Sequence, residues 1–181
     1  MVSDSRQEIM EATYKALSKH GHKDLTIEKI GKESEKGKSL IYYHFDNKED
    51  LMLSFLDHLN TQIEKDLQKI EELEPENKLD KLLDMLLGVE DKEMLEFQKA
   101  LSELKVQAQH NQKYAKKFRK LYKMLTDLTS EILTETDVEN PKINAEIIIS
   151  AVEGAISSKT ILEDERNLSE IKKGIKQALV K

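Results

Sequence analysis

The chain has 181 residues, enough for one or two domains with a buried core. Charged residues make up 35% and aromatics 5%, with six glycines, two prolines, no tryptophan and no cysteine; this is the profile of a helical chain, and it excludes a disulfide frame, a thiolate metal site and a cysteine nucleophile. The net charge of −6 excludes a uniformly basic surface, yet residues 1–50 hold nine Lys and Arg against ten Asp and Glu, so most of the negative charge lies beyond them. The polar start with Asp4 and Glu8 is no secretory signal, and no apolar run nears the roughly 20 residues of a membrane span, so the chain is expected to be cytoplasmic with no membrane partner.

Apolar residues recur at helical spacing along almost the whole chain. Ser5-x-x-Glu8 has the form of a capping box, followed by Ile9, Ala12, Ala16 and Leu17 and a stop at Gly21. Thr26 can cap a short second helix through Ile27 and Ile30 to about Ser34. Gly37 breaks the pattern, and a third short helix carries Leu40, Ile41 and Tyr42 to about Phe45. Asn47 can cap a long helix through Leu51, Phe55, Leu59, Ile63, Leu67 and Ile70, ended by Pro75. Helices are then expected over 79–89, from Met94 to Ala108, from Tyr114 to Ile132, from Asn140-Pro141 to Leu162, and after Asn167-x-x-Glu170. The expected fold is all-α, with about nine helices and no strand. The change from short to longer helices near residue 47 suggests a small domain over 1–47 and a larger helical one over 48–181.

Three short helices, the last two joined by a tight turn, have the size and order of a helix-turn-helix unit, whose last helix enters the DNA major groove. Such a helix needs an apolar face toward its neighbours and donors on the other. Leu40, Ile41 and Phe45 can supply the first; Lys36, Lys38, Ser39, Tyr42, Tyr43 and His44 can supply the second. The bland alternatives are Tyr42 as core, His44 as an ordinary surface histidine and Lys36 as a solvated charge.

At these residues the chain resembles the DNA-binding head of TetR-family transcriptional regulators. The matching positions are Arg6, Ile9, Ala12, Gly21, Leu25-Thr26, Ile30, Lys38 through Phe45 and Asn47-Lys48-Glu49-Asp50-Leu51, within residues 6–51. Two positions depart from the family pattern: the turn reads Glu35-Lys36-Gly37, with its glycine late, and Glu28 stands where relatives can carry an arginine or other base-contacting residue. A carboxylate there would accept from cytosine N4 or repel phosphate. The resemblance implies that Thr26, Tyr42, His44 and Lys48 hold phosphates, while Lys38, Ser39 and Tyr43 read bases. It also implies a homodimer on double-stranded DNA and a possible small-molecule effector.

One such head reads few base pairs, so a self-complementary dimer surface is expected. The candidate is the apolar helix ending at Leu162, through Ile147, Ala151, Gly154, Ala155 and Ser158, together with Ile171 and Ile175 of the last helix. Phe97, Gln98, Leu101, Tyr114, Phe118 and Tyr122 are candidate pocket walls, with Glu103 and His110 adding polarity, although such a stripe is also what plain core looks like. His20-x-His22 is a poor metal site, and no phosphate loop or nucleophile–base pair is visible, so neither enzyme nor cofactor is expected. The reading is a homodimeric DNA-binding regulator, a repressor released by a ligand. The alternative is a helical ligand-binding or protein-interaction protein that keeps this head without using DNA.

Overall fold

The structure is a computed structural model that describes residues 2–35, 37–88, 92–162 and 164–179. Lys36 and Val89 lie outside the described residues. Among those described there are nine helices and no strand: α1 (Val2–His20), α2 (Ile27–Lys32), α3 (Lys38–His44), α4 (Lys48–Glu71), α5 (Pro75–Leu87), α6 (Lys92–Gln107), α7 (Gln112–Glu135), α8 (Pro141–Ile161) and α9 (Leu168–Leu179). The protein is all-α, and no described helix is long and apolar enough to cross a membrane.

The helix ends follow local chemistry, with three departures from the expected signals. Gly21 takes a φ of 68° and donates its N–H to the Leu17 carbonyl at 2.9 Å, closing α1. The side-chain oxygen of Asn47 accepts from the Asp50 N–H at 3.0 Å, and that of Asn167 from the Ser169 N–H at 3.0 Å, opening α4 and α9. Ser5, by contrast, does not cap α1, because the helix starts at Val2; the Glu8 carboxylate instead accepts from the Ser34 hydroxyl at 2.8 Å. Asn140 precedes α8 with a φ of 51° but makes no side-chain cap bond, so Pro141 with its preset φ is what starts that helix. Pro75 opens α5 rather than ending α4, which stops at Glu71.

The residues gather into two compact units, one drawn from residues 1–61 and 92–118, the other from 62–91 and 119–181. The first unit packs α2, α3 and α6 against α1. Its core joins Ile9, Leu17, Ile30, Ile41, Leu51 and Leu104 to an aromatic group in which the Phe97 ring lies 4.4 Å from Tyr14 and 6.2 Å from Phe55. The second unit is built on aliphatic carbon: Leu67, Ile70, Leu82, Leu125, Leu128, Ile132 and Ile149 form one cluster. Within it α9 is tied to α5 by Lys172, which reaches Asp80 at 2.9 Å and Asp84 at 2.6 Å, and by Lys176 on Asp80. Those ammonium groups hold the Asp80 carboxyl below the ordinary carboxylate range.

Candidate nucleic-acid interface

The α2–α3 unit is set by two glycines. A Cβ on Gly31 would lie 2.9 Å from the Lys38 nitrogen and 3.0 Å from its Cα, so α2 and the first residue of α3 meet backbone to backbone. Gly37 precedes α3 with a φ of 70°, a conformation that L side chains rarely adopt. The late glycine of the turn therefore occupies the N-cap, and α3 begins at Lys38.

From that start the helical period sorts the side chains. Ile41 and Phe45, four residues apart, are both buried, each contributing about 1.5–3 kcal/mol as removed apolar surface. The Arg6 guanidinium sits over the Phe45 ring, 5.3 Å from its centre. Leu40 is half-buried. On the other side Tyr42 is 58% and Tyr43 82% exposed, beside the exposed Lys38 and Ser39. His44 is half-buried, its ring edge-on to Tyr43 at 5.0 Å between centres. Large aromatic side chains are normally drawn inward, so two adjacent exposed tyrosines are the uncommon feature.

Around this helix several polar groups are already engaged. The Thr26 side chain, which precedes α2, accepts from the Lys29 N–H at 3.2 Å, a bond that leaves its hydroxyl proton unused. The Lys48 ammonium, at the start of α4, donates to the His22 carbonyl at 3.1 Å, and burial lowers its pKa. One of its three donors is thus spent inside the fold. The His22 and Lys23 N–H groups both donate to Glu103 of α6, at 2.8 and 3.1 Å. Burial, then the neighbouring Lys48 charge, lower the His22 pKa. Glu103 is therefore an anchor for the turn between α1 and α2, its carboxylate accepting from two backbone donors. At the head of α3 the Lys38 ammonium lies 3.4 Å from the Glu28 carboxylate, both side chains well exposed. Sequence reasoning weighed Glu28 against DNA alone and missed this pair, although a carboxylate ten residues from a lysine across a tight turn was its signal.

The six candidate pocket residues are divided between the two units. Phe97, Tyr114 and Phe118 are buried in the first unit, where burial and Glu49 push the Tyr114 pKa to about 12. Leu101 and Gln98 are partly buried on α6, and the Gln98 carbonyl accepts from Ser102. Tyr122 belongs to the second unit, against its aliphatic cluster. His110 is exposed. Within the first unit the Phe97 ring packs on Tyr14 and Phe55. The open groove beside α7 and α8 is polar, lined by Asp127, Glu131, Glu135, Lys142 and Glu146, and holds none of the six.

The α8 candidates divide by face. Ile147, Ala151 and Gly154 are exposed, and a Cβ on Gly154 would meet nothing within 4 Å. Ile143, Ile161 and Leu162 extend this exposed apolar side. Ala155 is only 3% exposed and points into its own core with Ile148 and Val152, so its side chain is closed to a partner. Ser158, Ile171 and Ile175 are half-buried.

The model of the family described as bacterial regulatory proteins, tetR family, matches residues 9–55, the span from α1 into α4. The HTH-type transcriptional repressor AcnR of Corynebacterium glutamicum is 33% identical over 52 residues; that match spans 29% of this chain and only 28% of AcnR. A TetR transcription regulator from Haloarcula marismortui, known from its crystal structure, is similar at a TM-score of 0.85 and 29% identity, over 98% of this chain and 97% of that one. FadR of Bacillus subtilis, solved with stearoyl-CoA, shares the fold at a TM-score of 0.70 and 19% identity, over 96% and 97%. The chain thus carries a tetR-family N-terminal region over residues 9–55, on an all-helical fold that resembles a TetR transcription regulator over nearly its whole length.

Proposed function

We propose that this protein is a homodimeric, sequence-specific DNA-binding regulator that represses from a palindromic operator and is released by a small molecule. The observation that carries the reading is the two-sidedness of α3: Ile41 and Phe45 hold it down while Lys38, Ser39, Tyr42 and Tyr43 face outward. In this reading Tyr42, His44, Thr26 and Lys48 hold backbone phosphates and Lys38, Ser39 and Tyr43 meet base edges. Residues 1–47 engage DNA, and residues 48–181 dimerise and take the effector. The exposed Ile147, Ala151 and Gly154 face of α8 supports the dimer, since a second copy would cover carbon now in water. Repression is supported by the name of AcnR, and effector control by a fold neighbour solved with an acyl-CoA. A ligand releases DNA only if it binds better to a form that misfits the operator, by a few kcal/mol.

The test is selection of bound fragments from random-sequence duplex DNA. The expected product is a palindrome whose half-sites lie about one helical turn or more apart. Failure to enrich any sequence, with binding undetectable even at low salt, would leave the helical interaction protein as the better reading.

A further inference from the structure

Glu28 and Lys38 are placed together by the fold, at the point where a recognition helix meets bases. The N-terminal residues of such a helix are the ones that contact base edges. Lys38 is the first residue of α3. Gly31 lets that residue sit directly on α2, and Glu28 lies one turn before Gly31, on the same side of the helix. The two charges lie 3.4 Å apart, with the side chains 59% and 71% exposed. An ion pair so exposed adds little to stability, so the fold itself has small need of it.

Resting on the DNA-binding reading above, we propose that Glu28 and Lys38 act as one unit that reads a single G·C base pair in each half-site. In the major groove guanine presents two adjacent acceptors, N7 and O6, and its partner cytosine presents the N4 amino donor beside O6. An ammonium next to a carboxylate is the complement of that edge. Lys38 donates to N7 and O6, and Glu28 accepts from N4. On an A·T pair the ammonium meets an amino donor where O6 would be, and the carboxylate faces the O4 acceptor and the methyl group of thymine. A carboxylate left in the groove without a donor is penalised, so Glu28 works mainly by rejecting wrong bases.

The experiment repeats the random-duplex selection with the wild-type chain, Glu28→Gln, Glu28→Ala, Lys38→Ala and the double variant Glu28→Ala with Lys38→Ala, followed by titration of duplexes that differ at the implicated pair. The wild type is expected to require G·C at one position per half-site, with about a tenfold or greater loss on A·T. Glu28→Gln should shift that one position toward A·T, because an amide pairs with adenine N6 and N7, and should leave the other positions unchanged. Glu28→Ala and Lys38→Ala should each flatten the preference there, and the double variant should do no more than either alone. Unaltered thermal melting of each variant would show that the fold is intact. An unchanged selected sequence in Glu28→Gln, a wild-type preference for A·T, or a uniform gain of affinity on every duplex in Glu28→Ala would overturn the inference, the last by making Glu28 a mere repulsive charge. A wild-type chain that enriches no sequence would instead bring down the DNA-binding reading, a result distinct from all three.

Discussion

α3 and α8 both turn side chains outward that their own chain leaves uncovered, and the side chains differ in kind. α3 is seven residues long and exposes Tyr42, Tyr43, Lys38 and Ser39, a surface of hydroxyl and ammonium donors. α8 is 21 residues long and exposes Ile143, Ile147, Ala151 and Gly154, a surface almost wholly of carbon. A donor surface gains by meeting a polyanion, and a carbon surface gains by leaving water. The same protein therefore offers two surfaces of opposite chemistry, and each helix can be challenged without touching the other.

The largest effect is expected from Ile147→Glu. Charge placed in an apolar contact should turn a dimer into a monomer, seen by sedimentation, and should cost operator affinity on the order of 100-fold or more. A variant that stays dimeric would break the assignment of the carbon surface.

Gly31→Ala addresses what holds α3 in place. The new methyl would lie 2.9 Å from the Lys38 nitrogen, so α2 and α3 must part, at a cost of about 1–3 kcal/mol in denaturant unfolding. Gly154→Ala, with open space around its Cβ, should leave a monomer's stability nearly unchanged or slightly raised, and should disturb only the dimer.

Lys48→Ala tests the electrostatic part of the donor surface. Binding to all duplexes should weaken alike, and the salt slope should fall by about one. A change confined to one sequence would contradict a phosphate role. The smallest effect concerns pH. His22 is neutral-favouring in the fold because burial and Lys48 lower its pKa below 6.5, so its contribution to stability is present above about pH 6.5 and is lost as pH falls through the lowered value. His22→Gln should flatten that part of the stability curve, by under about 1 kcal/mol.

Much of this was readable from the sequence, for reasons that are local. The two faces of α3 follow from one helical period, with Ile41 and Phe45 four apart, and the caps at Asn47 and Asn167 act within three residues. What escaped depends on distant partners. Glu8 looked committed to Ser5 but is claimed by Ser34, and Glu103 reaches a turn some 80 residues earlier in the chain. Within α8 the apolar residues run nearly all round, so no period told the outward Ala151 from the inward Ala155. The aromatic stripe of Phe97, Tyr114 and Phe118 has the same spacing whether it walls a cavity or fills a core, and the rings that meet Phe97, those of Tyr14 and Phe55, come from distant parts of the sequence.

The central claim is that the outward face of α3 meets DNA, and Tyr43 tests it most directly, being the most exposed large side chain there and dispensable to the core. Titration of the selected duplex by fluorescence anisotropy should show Tyr43→Ala losing about tenfold or more in affinity, with melting temperature and dimer unchanged. Wild-type affinity in that variant, on the same duplex and at the same salt, would contradict the account.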